Sequence, residues 1–212
     1  MPMRNQCLAK GISITGKILI LLVANLYISN CVSSDSQSEL FSAQGYRLAE
    51  FRAPVPDSVP SASTLSTEQL QRLLTEQPVL LIDVLPTPIK PKDRPEHLLW
   101  LPPARKNIPG SYWLPNVGFG ALSDELDRYF RRNLAELSEH DSTLAIVIYC
   151  LADCWMSWNA AMRAAVEYGY TNVYWYPDGT TGWEAKNLPL QPSQPIPSDY
   201  QDNSSCMERY SR

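Results

Sequence analysis

The chain has 212 residues, 44% hydrophobic and 19% charged, which suits one globular domain with appendages and excludes a wholly disordered chain. Its formal charge is −4; residues 1–30 hold Arg4, Lys10 and Lys17 and no acid, so a chain starting at residue 31 sets 15 basic against 22 acidic side chains. Such a chain, with no Lys/Arg run, is disfavoured as a nucleic-acid binder, and its two histidines, His97 and His140, leave its five cysteines as the more informative residues.

Residues 1–30 read as a signal peptide. Arg4 and Lys10 precede Ile18–Ile28, a run apolar except for Asn25, shorter than the ~20 residues of a spanning helix and of signal-core length. Export to the periplasm follows, an oxidising compartment where paired thiols form disulfides. Ile28-Ser29-Asn30-Cys31 resembles a lipoprotein box, except that Asn30 stands where a small residue is the rule. Acylation at Cys31, which would give a membrane-anchored lipoprotein, and plain cleavage nearby both stay open.

Residues 31–63 read as a tether and N-terminal extension. Within it Tyr46, Leu48 and Phe51 suggest a short strand ended by Pro54, Pro56 and Pro60. Ser66-Thr-Glu-Gln69 is a capping-box pattern opening a helix with Leu70, Leu73 and Leu74 on one face, stopped by Pro78. Val79–Val84 reads as a buried strand with Asp83 near its end. Seven prolines between Pro86 and Pro109 predict a long irregular loop. Ser123 caps a second helix whose apolar face holds Leu126, Tyr129, Phe130, Leu134 and Leu137. Leu144–Tyr149 is another buried strand and runs into Cys150; an alanine-rich helix follows over 159–168, closed by Gly169. Val173–Tyr176 is the next strand, Asp178-Gly179 a turn, and 192–212 a polar tail.

Strands alternating with helices imply an α/β domain with a central parallel sheet and helices on both faces. Chemistry in such sheets collects at the carboxyl ends of the strands. Cys150-Leu-Ala-Asp-Cys154-Trp155 occupies such a place, where unpaired amides and a helix dipole would favour a thiolate. The same cysteine can also be a buried structural residue.

The order Leu81-Ile-Asp83-Val84, Ile108-Pro-Gly-Ser111, Ile148-Tyr-Cys150, Gly169-Tyr-Thr-Asn-Val173, Asp178-Gly-Thr-Thr-Gly-Trp183 and Leu188-Pro189 resembles a rhodanese-like domain over residues 64–191. More narrowly, Cys150…Cys154-Trp155-Met-Ser-Trp158-Asn-Ala-Ala161 resembles the PQQ-dependent catabolism-associated CXXCW motif proteins, although three residues separate the cysteines here. The resemblance implies Cys150 as nucleophile or persulfide carrier and Cys154 as its resolving partner. The backbone amides of Leu151, Ala152, Asp153, Cys154 and Trp155 would form an anion cradle, and Asp83 and Trp158 would support the loop. It further implies sulfur or thiol-redox handling in support of periplasmic quinoprotein alcohol oxidation, with a periplasmic protein, a small thiol or sulfur species, or the dehydrogenase system as partner.

Two departures qualify this. The loop 151–158 contains Asp153 and no cation, the nearest downstream base being Arg163; an acid beside the nucleophile opposes thiosulfate turnover. Asn107 stands where many relatives have a histidine. The rival reading is a binding module with a structural disulfide and a Trp-rich mouth. A quinone cofactor such as PQQ stacked on those tryptophans is disfavoured against plain packing. Cu(I) is disfavoured too, since only Met156 stands near as a further soft ligand, and no other metal is expected. If both cysteines lay on first helical turns they would face the same side about 6 Å apart, within disulfide range. Cys206 remains either a bridge partner for Cys154 or a free thiol.

Overall fold

The computed structural model describes residues 40–88, 93, 99, 101 and 103–197. These all belong to one compact unit, Leu40–Arg212. The signal peptide, Cys31, the tether up to residue 39, Trp100, Cys206 and the tail from residue 198 lie outside the described residues.

Five strands form one parallel sheet: β1 (Ser63–Thr64), β2 (Val79–Asp83), β4 (Ser111–Trp113), β5 (Ala145–Tyr149) and β6 (Val173–Tyr176), in the order β1-β6-β5-β2-β4. Four helices accompany them: α1 (Thr67–Glu76), α2 (Asp124–Leu137), α3 (Trp155–Val166) and α4 (Gly179–Ala185). The central strands are continuously apolar because both of their faces are buried. Alternate residues go to opposite sides. Leu80, Ile82, Ile146, Ile148 and Trp175 join a core with α2 and α3, while Leu81, Val147, Tyr149 and Tyr176 join one with Leu70, Leu73 and Trp183 of α1 and α4. The expected α/β architecture with helices on both faces is thus observed. No described helix is long and apolar enough to cross a membrane.

The capping box forms as expected: Ser66 accepts from the Gln69 N–H, and the Gln69 side chain accepts from the Ser66 N–H at 2.7 Å. Elsewhere the structure corrects the sequence. The span 46–51 makes no regular strand; isolated bridges join Phe41 to Arg47 and Arg52 to Cys154 instead. The proline-dense segment contains β3 (Arg105–Asn107), paired antiparallel with β7 (Gln191–Ser193). Helix α3 begins at Trp155, four residues before the expected start. Every residue from Trp155 to Ala164 is buried, so this helix shows no polar face whose period would mark its beginning. Asp178-Gly179 opens α4 rather than only turning the chain.

Candidate functional site

The strand order reverses between β2 and β5, which places a crevice at the carboxyl ends of those strands. Asp83, Tyr149 and Tyr176 stand in register there. Cys150 follows Tyr149, so its loop lies between the loops leaving β2 and β6.

Cys150 and Cys154 form a disulfide with their Cα atoms 6.5 Å apart. The route to that spacing is not the helical one. Cys154 is the N-cap of α3 with extended backbone (φ −125°, ψ 104°), and Asp153 takes a left-handed φ of 51° that turns the intervening residues. Asp tolerates this region better than most residues, through its short polar side chain. Cys150 is 0% exposed and Cys154 2%, while Asp153 between them is exposed.

The loop is clamped from two sides. From the start of α4, the Thr180 N–H donates to the Cys150 carbonyl at 3.1 Å, Gly179 bridges Leu151, and Thr181 Oγ1 accepts from the Ala152 N–H at 3.3 Å. Gly179 has a φ of +52°, and a Cβ there would collide with the Cys150 carbonyl, so only glycine permits this approach. From the other side comes the N-terminal extension, which from residue 40 is a strap on the domain. Phe51 accepts from the Trp155 N–H at 2.9 Å, Pro54 from Trp155 Nε1 at 3.1 Å and Ser58 from Trp158 Nε1 at 2.9 Å. Phe41 packs edge-on against Trp155, and Arg47 lies over both rings. Asn159 completes the clamp, accepting from the Arg47 N–H and donating to the Arg47 and Gly118 carbonyls, each at 2.9 Å.

The proposed cradle residues are thus brought together, but two of their amides, those of Ala152 and Trp155, serve other acceptors. Two carbonyl oxygens lie close to Cys150 Sγ, that of Cys154 at 3.6 Å and that of Leu151 at 3.7 Å. Such oxygens accept from a thiol and oppose a thiolate. Cys154, at the positive end of α3, is the better placed of the two for a thiolate.

Asp83 does not reach the cysteine loop. Its Oδ1 accepts from the Leu85 N–H at 2.9 Å and its Oδ2 from Arg105 Nε at 2.6 Å. Burial pushes its carboxyl up to about 6, the Arg105 guanidinium and the Leu85 N–H opposing. Trp158 supports the strap and packs on Trp155 with ring centroids 5.3 Å apart. Asn107 is fully buried, its side-chain amide unpaired among the described residues. Arg163 is also buried, holding the Val117 and Gly120 carbonyls. A cavity of about 410 Å³ lies at that other end of α3, lined by Tyr46, Asp127, Arg131, Arg163 and Glu167 among others and by no residue of the cysteine loop. Sequence reasoning gave no site role to Arg52, Gly179 or Thr181, although the last two lie within the Asp178–Trp183 motif that carries the family resemblance.

Residues 66–186 match the model of the rhodanese-like domain. The chain belongs to the rhodanese-like domain family. Among solved structures it is similar to a thiosulfate sulfurtransferase from Pseudomonas aeruginosa (16% identity, 70% of this chain and 23% of that one, TM-score 0.42). It is likewise similar to a polysulfide-sulfur transferase homodimer from Wolinella succinogenes (17% identity, 68% of this chain and 85% of that one, TM-score 0.38). This chain spans less than a quarter of the Pseudomonas protein's length, and the family assignment rests on the domain match rather than on these likenesses. No curated protein matches.

Proposed function

We propose that the Cys150–Cys154 pair is the reacting centre of an exported rhodanese-like protein that handles sulfur or thiol-redox equivalents. The observation that carries this is position: the disulfide lies at the carboxyl end of β5, beside the crevice where the sheet order reverses. A bridge there stores two electrons and is opened by thiolate attack. The sequence resemblance makes Cys150 the nucleophile or persulfide carrier, yet the carbonyls at its sulfur disfavour an anion. In this reading Cys154 carries the thiolate and Cys150 returns as a neutral thiol. Periplasmic location, an acylated Cys31 and service to quinoprotein alcohol oxidation belong to the proposal through sequence resemblance alone. Growth of a deletion strain on an alcohol that requires such a dehydrogenase tests the last of these.

A second reading, a permanent bridge in a non-catalytic binding module, draws on the burial of both sulfurs. The indole N–H groups of Trp155 and Trp158 are already taken by the strap, which leaves that module a smaller aromatic mouth. Titrating thiols on the folded protein with and without a mild dithiol separates the two. Two thiols released without loss of native circular dichroism support the redox centre; release only on unfolding overturns it.

A further inference from the structure

The strap brings to the disulfide what the loop 151–158 lacks, a cation. Arg52 and Cys154 are an isolated antiparallel pair, and beside them the Trp155 N–H donates to the Phe51 carbonyl at 2.9 Å. A pair flanked in this way is of the non-hydrogen-bonded type. There the opposed Cα atoms come to about 4.5 Å and the two side chains leave the same face. The stem of Arg52 therefore starts beside that of Cys154. Arg52 is exposed and, among the described residues, its side chain makes no ion pair. Arg47, five residues earlier, is spent on Glu50 at 3.2 Å and on two aromatic rings. The opposing charge at this edge is the exposed Asp153, next to Cys154 in the chain.

We infer that Arg52 selects anionic sulfur reactants and directs them to Cys154, an inference resting on the reading of the pair as a reacting centre. A thiolate R–S⁻ attacks Cys154 Sγ and forms R–S–S–Cys154. The Cys150–Cys154 bond breaks, its electron pair goes to Cys150 Sγ, and water protonates that sulfur as it leaves, so that no thiolate stands against the two carbonyls. The new S–H can donate to the Leu151 carbonyl, 3.7 Å from the sulfur, while the Cys154 carbonyl already accepts from Ser157 Oγ at 3.1 Å. A second thiolate attacks the R sulfur, giving R–S–S–R and the Cys154 thiolate at the N-terminus of α3, beside Arg52. The two thiolates are oxidised by two electrons and the bridge is reduced by two. Both sulfurs are buried, so attack follows a local opening of the loop 150–154 beneath the strap rather than the loss of a strand.

The test compares three reductants on the folded, oxidised protein at low ionic strength: anionic 2-mercaptoethanesulfonate, neutral 2-mercaptoethanol and cationic cysteamine. Rates are normalised to thiolate concentration and read by quenched alkylation and intact mass. Arg52→Glu is expected to lower the sulfonate-to-cysteamine rate ratio by about fivefold or more, since it reverses a charge close to the attacked sulfur. Arg52→Lys keeps the wild-type ratio, Asp153→Asn raises it, and about 0.5 M salt removes most of the difference. If Arg52→Glu leaves the ratio within about twofold while every protein is still reduced, Arg52 does not select and the redox reading stands. If no thiol reduces the folded wild type, both fall.

Discussion

The indole N–H of Trp158 donates to the carbonyl oxygen of Ser58 at 2.9 Å, across 100 positions of the chain. Trp155 makes the same kind of bond to Pro54, 101 positions away. Two tryptophans of one buried helix thus hold a proline-bearing strap that has no strand pairing of its own beyond isolated bridges. The aromatic residues beside the disulfide are spent on the chain's own N-terminal segment, and it is this use that brings Arg52 to Cys154.

Replacing Trp158 by Phe keeps a ring beside Trp155, removes the bond to Ser58 and shrinks a buried side chain. Ser58 is exposed, so its carbonyl can turn to water and the bond itself accounts for about 1 kcal/mol, to which the lost packing adds. The larger effect is local. Limited proteolysis within residues 50–62 should accelerate several-fold, while the rest of the domain keeps its resistance. Uniform acceleration across the chain would show that the bond serves the whole fold and not the strap.

Gly179→Ala attacks the other clamp. A non-glycine residue at φ +52° costs about 1–2 kcal/mol, and the added Cβ also meets the Cys150 carbonyl and the Leu151 Cα. A drop of about 2 kcal/mol or more in urea unfolding is expected, together with faster reduction of the Cys150–Cys154 bridge. A variant as stable as the wild type would mean that α4 can back away from the loop at little cost.

Much of the fold was legible because its signals are local. The Ser66…Gln69 box, the Ser123 cap and the apolar runs at 79–84 and 144–149 each fix an element within a few residues. The place of the disulfide was legible by position, since Cys150 follows the last residue of a strand, and by family order. What could not be read was long-range. Nothing in Phe51-Arg52-Ala53 announces a bridge to Cys154, and nothing in Arg105-Lys-Asn107 announces β7. The start of α3 was hidden because burial on all sides erases the helical period. Charges counted along the loop 151–158 likewise leave out Arg52, which pairs with Cys154 from about a hundred positions earlier.

Asp83 makes a prediction about acid. Its folded pKa of about 6, against an ordinary 3.8, means that the folded state binds this proton more tightly than the unfolded one. Its contribution to stability is therefore full below pH about 4 and is lost as the pH rises through 6. Two pKa units correspond to about 3 kcal/mol at most. Urea midpoints for the wild type should fall between pH 5 and pH 7.5. Asp83→Asn, neutral throughout, should flatten that slope. An unchanged slope in the variant would assign the pH dependence to other groups.

The two cysteines should differ in acidity, and in the order opposite to the one their sequence positions suggest. Ending a strand under a turn would make Cys150 the more acidic thiol if the turn's amides pointed at it. Instead its sulfur lies 3.6 Å and 3.7 Å from two carbonyl oxygens, and two of the amides donate elsewhere. A neutral thiol can donate to one of those oxygens and a thiolate to neither, so Cys150 should be the weaker acid of the two. Cys154 caps a twelve-residue helix, whose first N–H groups favour negative charge, and Arg52 stands opposite it. The pH dependence of alkylation reads each thiol alone: Cys150→Ser reports Cys154, and Cys154→Ser reports Cys150. The Cys150→Ser protein should titrate at least about one unit lower. If the Cys154→Ser protein is instead the more acidic, the loop rearranges on reduction to turn its amides toward Cys150, and the nucleophile assigned by family order is the right one.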